Sequence, residues 1–143
     1  MNFIVSAVLT VVVMSPFALA QTSGTCDCCI KSAKAPVCLT EAETAALVEH
    51  IEMAPDLMGK LVNVQGIAVL ELSFDKHGRV RCVKAISGHP IALSHLIESI
   101  SQGKWRFKPY LRNGIAQTAC GQLTVEFSFV ENRPAVKVAI PKQ

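Results

Sequence analysis

Leu123, Val125, Phe127 and Phe129 alternate without a break with Thr124, Glu126 and Ser128. Successive side chains of a strand point to opposite faces, so this period of two demands a β-strand with one buried face. A lone strand leaves its backbone N–H and C=O groups unpaired. The rest of the chain must supply partner strands and a cover for the apolar face.

Gln65 to Phe74 reads as one such partner. Ala68, Leu70, Leu72 and Phe74 share a face, and Glu71 and Ser73 lie on the other. Asp75-Lys76-His77-Gly78 fits a type I turn with Gly78 in the left-handed conformation. Arg79 to Ile86 returns as a second strand, and its irregular parity calls for a bulge. Pro90 suits the first position of a helix whose face carries Leu93, Leu96, Ile97 and Ile100, and Gly103 suits its C-terminal cap. Upstream, Thr40 and Glu43 have capping-box spacing. Leu47, Val48 and Ile51 then predict a short helix from Glu41 to about Glu52, closed by Pro55. Val136, Val138 and Ile140 alternate in a Pro-punctuated tail and offer a short edge strand. The fold class expected is α+β: a small antiparallel sheet in the order ββαβ with one main helix packed on it, preceded by a short helix and a cysteine-rich tether.

Phe3 to Ala20 is almost wholly apolar, carries no charged side chain and ends Ala18-Leu19-Ala20. This pattern predicts a signal peptide cleaved before Gln21. Retention as an inner-membrane anchor is the alternative, because the run approaches the roughly 20 residues that span a bilayer. Either outcome exports the rest, to the periplasm or beyond. The chain divides into 1–20 (signal peptide), 21–54 (cysteine-rich tether and short helix), 55–131 (the domain) and 132–143 (tail). Export gives meaning to six cysteines, Cys26, Cys28, Cys29, Cys38, Cys82 and Cys120, which are disulfide candidates whose pairing spacing alone does not choose. The cluster lacks the paired CxxC spacing of structural zinc, so no metal is expected. A net charge of +3 is too mild to require an anionic partner.

Lys104-Trp105-Arg106-Phe107-Lys108 alternates basic and aromatic residues, a pattern that can stack on single-stranded nucleic acid. In an exported chain the reading is an extended segment with buried aromatic and solvated basic side chains, and no nucleic acid is expected. His50, His77, His89 and His95 fall on different elements or at spacings that do not converge. No Ser-His-Asp, Cys-His or paired-carboxylate pattern holds together, so the expectation is a binding protein without cofactor rather than an enzyme.

The ordered set Asp75-Lys76-His77-Gly78-Arg79-Val80, Ser87-Gly88-His89-Pro90, Trp105-Arg106-Phe107-Lys108-Pro109, Asn113-Gly114 and the strand Leu123 to Phe129 resembles the C-terminal domain of TonB-type energy transducers, over roughly Pro55 to Val130. The resemblance implies a module that binds an extended segment of an outer-membrane transporter, or another envelope protein, by strand addition. The binding strand carried over is Gln122, Leu123, Thr124, Val125, Glu126, Phe127, Ser128 and Phe129. The other reading of Leu123 to Phe129 is a structural strand whose edge is covered by the C-terminal tail or by a second copy of the chain. A full transducer also resembles a membrane helix joined to this domain by a long Pro-rich spacer. Here the stretch between Ala20 and Pro55 reaches well under ~3.5 Å per residue. The alternative reading is therefore a disulfide-stabilised envelope scaffold or adaptor that does not transduce energy.

Overall fold

The computed structural model describes residues 36–53, 64–131 and 133–140. The signal-peptide expectation, Pro55 and three of the disulfide candidates, Cys26, Cys28 and Cys29, lie outside them. The described chain is α+β. Its strands are β1 (Val37–Cys38), β2 (Val48–His50), β3 (Gly66–Phe74), β4 (Val80–Ser87), β5 (Arg106–Phe107), β6 (Tyr110–Arg112), β7 (Ile115–Gln117), β8 (Ala119–Val130) and β9 (Arg133–Val138). Its helices are α1 (Glu41–Ala46) and α2 (Pro90–Ser101).

The main sheet has the order β1-β8-β3-β4, with β9 also on β8. β3 pairs antiparallel with β4 and with β8, and β8 pairs antiparallel with β9. β1 runs parallel to β8. The sheet is thus mixed rather than antiparallel throughout. The difference is the two-residue β1, which carries no sequence period. The bulge expected in β4 occurs as two register shifts, between Val69 and Leu70 and between Ser73 and Phe74 on the facing strand.

The core lies where periodicity puts it. Ala68, Leu70, Leu72 and Phe74 of β3 are buried beside Leu123, Val125 and Phe127 of β8, and α2 covers that face with Ala92, Leu96 and Ile100. Leu93 and Ile97 are only half-buried, while His95 and Ser99 are buried. The helix is therefore rolled toward its polar side. The buried Ser99 hydroxyl is satisfied, donating to the Glu52 carbonyl at 2.8 Å, whereas the buried His95 Nδ1 has no hydrogen-bond partner among the described residues. The helix ends are as the sequence implies. The His89 imidazole accepts from the Ile91 N–H just ahead of Pro90. At the other end Gly103 (φ +74) closes a Schellman motif, with Gly103 N–H on Ile100 C=O and Lys104 N–H on Ser99 C=O.

α1 is shorter than its apolar spacing suggests. The capping box forms, with Glu43 N–H on the Thr40 hydroxyl and Thr40 N–H on the Glu43 carboxylate. The helix then stops at Ala46, and β2 pairs with β5, Val48 opposite Phe107 and His50 opposite Arg106. Val48 and Ile51 still pack on the core, but Val48 does so from strand β2 and Ile51 from beyond its end. Helical and extended segments can both turn them inward, and the unpaired backbone of β5 decides for the strand. Thr44 packs into the space above Gly121 and is fully buried, its hydroxyl donating to the Thr40 carbonyl at 2.8 Å.

Candidate functional site

Gln122 to Phe129 all lie on β8, and the side chains of Gln122 to Ser128 alternate as expected. Leu123, Val125 and Phe127 are buried, Gln122 and Glu126 are exposed, and Thr124 and Ser128 are between. The edge that this strand was expected to present is occupied. One side of β8 pairs with β3 from Ala119 to Phe127. The other side takes β1 at its start, Leu39 N–H donating to the Cys120 carbonyl at 2.7 Å. Farther along it takes β9, from Val125 opposite Val138 to Val130 opposite Arg133. Ala139 N–H extends that contact to the Thr124 carbonyl at 2.9 Å. The tail strand offered by Val136 and Val138 is thus formed, and it lies on the expected binding strand.

The Thr124 contact also sets which backbone groups face outward. In an antiparallel ladder alternate residues turn N–H and C=O to the same side. Thr124, Glu126 and Ser128 therefore address β9, and Leu123, Val125 and Phe127 address β3.

The opposite face of the sheet carries the cysteines. Cys38 and Cys120 stand in register on β1 and β8. Cys38 is an exposed thiol, and the buried Cys120 thiol donates to the Glu71 carboxylate at 3.8 Å. Cys82, which lies opposite Ser73, is disulfide-bonded. Glu71 itself is buried, opposite Lys84 and Gln122. Its place on the non-core face was legible from parity, but its burial was not. Among the described residues no group of three metal-ligating side chains converges, and no helix is long and apolar enough to cross a membrane.

The β3–β4 turn is the most organised polar feature. Asp75 accepts from His77 N–H at 2.8 Å and from Arg79 N–H at 3.0 Å through one carboxylate oxygen, and from Arg81 Nε at 3.1 Å through the other. Gly78 N–H closes the turn on the Asp75 carbonyl, and Gly78 has the left-handed φ of +77°. Burial by itself would raise the Asp75 pKa. The N–H groups of Arg79 and His77, followed by the Arg81 charge, outweigh it and hold the carboxyl below its ordinary 3.8.

A depressed folded pKa contributes stability that is present above the ordinary value and is lost as pH falls through the folded one. Asp75→Ala should therefore cost about 2–3 kcal/mol at neutral pH, most of it from the two orphaned N–H groups, because exposed Arg81 adds little. Urea midpoints of the variant and the parent, far apart at neutral pH, should draw together below the ordinary carboxylate value. A gap that stays constant into acid would show that Asp75 acts through shape alone.

Trp105 and Phe107 are buried and Arg106 and Lys108 exposed, as the alternating run implied. The Phe107 ring lies 4.9 Å from Phe74 and 6.4 Å from Trp105 by centroids. Beyond it the β6–β7 hairpin turns at Asn113 and Gly114, both with positive φ as a type I′ turn requires. Comparison with known proteins finds no matching family model, and no curated protein or solved structure that matches the chain.

Proposed function

We propose that this protein is an exported protein-binding module of the TonB C-terminal type that takes up an extended segment on β8 in exchange for β9. The reading rests on topology. β3, β4, α2 and β8 follow one another as strand, strand, covering helix and strand, and the last strand returns beside the first. Strand addition needs an outward row of backbone groups, and Thr124, Glu126 and Ser128 supply it. β9 already satisfies that row, so a partner must replace it. It is the more replaceable neighbour: Val136 and Val138 are half-buried, whereas the β3 ladder buries Leu70 and Ala68 completely. The partner proposed is an extended stretch of an outer-membrane transporter or another envelope protein.

The exchange predicts self-competition. A peptide that can bind only while β9 is detached has its affinity reduced to the fraction of time β9 is detached. A chain lacking residues 132–143, or one carrying Val136→Asp and Val138→Asp, should bind transporter-derived peptides at least about tenfold more tightly than the intact chain. Glu126→Pro should abolish that gain, because it removes an outward N–H and leaves the β3 ladder intact. Calorimetry gives the affinities, and amide exchange at residues 122–129 locates the contact.

The second reading is a closed scaffold, favoured by the six paired positions of β9 and by β1 on the same side of β8. Folded β9 variants that bind no extended peptide would establish it in place of strand exchange.

A further inference from the structure

A cleft of about 430 Å³ opens between the β3–β4 turn, the end of α2, and the β2–β5 pair. Its buried wall is apolar, with Ile100, Trp105 and Phe107, and its exposed rim carries Glu49, Arg79 and Arg106. The volume falls in the range of small-molecule sites. Three observations distinguish it from an ordinary surface hollow. Arg79 and Arg106 come from elements distant in sequence, yet neither belongs to an ion pair among the described residues. The Trp105 indole N–H is buried without a hydrogen-bond acceptor, which is rare enough to need a reason. The rim is also held in place. A Cβ on Gly78 would lie 2.5 Å from the Phe107 carbonyl oxygen and 2.9 Å from the Lys108 carbonyl carbon, so the turn is seated on the backbone beside Arg106. Asp75 fixes the same turn from the other side by holding the N–H of Arg79.

We infer that this cleft is a binding site for a monoanionic carboxylate borne on an apolar group. Guanidinium groups pair with carboxylates through two parallel hydrogen bonds, and the aromatic wall takes the body of the ligand. Two arginines against one glutamate leave a rim of net +1, which suits a single negative charge and disfavours a phosphate dianion. The chemistry is shared by a small aromatic acid and by the free C-terminus of a peptide ending in an apolar residue. The site is separate from the β8 edge and does not depend on strand exchange.

Trp105 is the one tryptophan of the chain, so its fluorescence reports on the cleft directly. The full chain would be titrated with benzoate, benzamide, N-acetylphenylalanine, N-acetylphenylalanine amide and inorganic phosphate. Either acid should shift the Trp105 emission and bind about tenfold more tightly than its amide, and phosphate should compete weakly. Benzoate binding would assign small acids as the ligands. Binding of N-acetylphenylalanine alone would assign peptide C-termini. Arg79→Gln and Arg106→Gln, both at exposed positions, should each weaken the acid about tenfold with melting unchanged. Arg112→Gln, equally cationic but outside the cleft, should not. Equal binding of acid and amide, an equal loss in Arg112→Gln, or no response to either acid would overturn the assignment.

Discussion

Trp105→Ala should lower the unfolding free energy by about 3–5 kcal/mol, the usual cost of truncating a large buried aromatic. The side chain is 4% exposed and sits between the end of α2 and Phe107, whose ring in turn meets Phe74 of β3. It thus joins the segment after the helix to the sheet, and removal leaves a cavity that collapse on one side alone does not fill. In a domain of this size each kcal/mol moves the melting temperature by roughly 4–8 °C, so thermal unfolding resolves the effect easily. Trp105→Phe should recover much of the loss and, since the indole N–H has no acceptor, should incur no hydrogen-bond penalty. A loss under about 1 kcal/mol for the alanine variant would show that the ring does not anchor the core.

Gly78→Ala should cost about 2–5 kcal/mol, the sum of two separable effects. A side chain at φ +77° is strained by roughly 1–2 kcal/mol. The added Cβ also meets the Phe107 carbonyl oxygen at 2.5 Å, and relieving such a contact by backbone movement costs roughly 1–3 kcal/mol. Gly103 separates the two. Its φ is +74°, but a Cβ there meets nothing within 4 Å. Gly103→Ala should therefore show the strain alone, about 1–2 kcal/mol. Equal losses at the two positions in chemical denaturation would show that the turn does not rest on β5, and the rim of the cleft would lose its rigid support.

How much of this was legible from the sequence depended on the distance over which each element is decided. The apolar face of β8, the face of β3, the turn at Gly78 and both ends of α2 follow from side-chain period or from local hydrogen bonds. A capping box closes within four residues, and an alternating strand has its buried face chosen before it has a partner. The end of α1 is different. Leu47, Val48 and Ile51 suit a helix by spacing, yet the backbone of residues 48–50 is taken by β5, nearly sixty residues later. β1 offered no period at all and exists because Ala119 and Cys120 stand opposite it.

The candidate sites divide in the same way. The sequence by itself determined which side chains of Gln122 to Ser128 turn inward, because alternation is a property of one strand. Whether the outward backbone groups of that strand meet a partner, a second copy or β9 was decided only when the tertiary structure brought β9 back alongside it. The cleft was beyond any local reading, since Glu49, Arg79 and Arg106 belong to three strands or turns with no shared period. Burial of Glu71 was likewise decided by what packs over the sheet. Period and capping are written in neighbouring residues, whereas strand partners and clefts depend on contacts between residues far apart, which the chain makes only after it has folded.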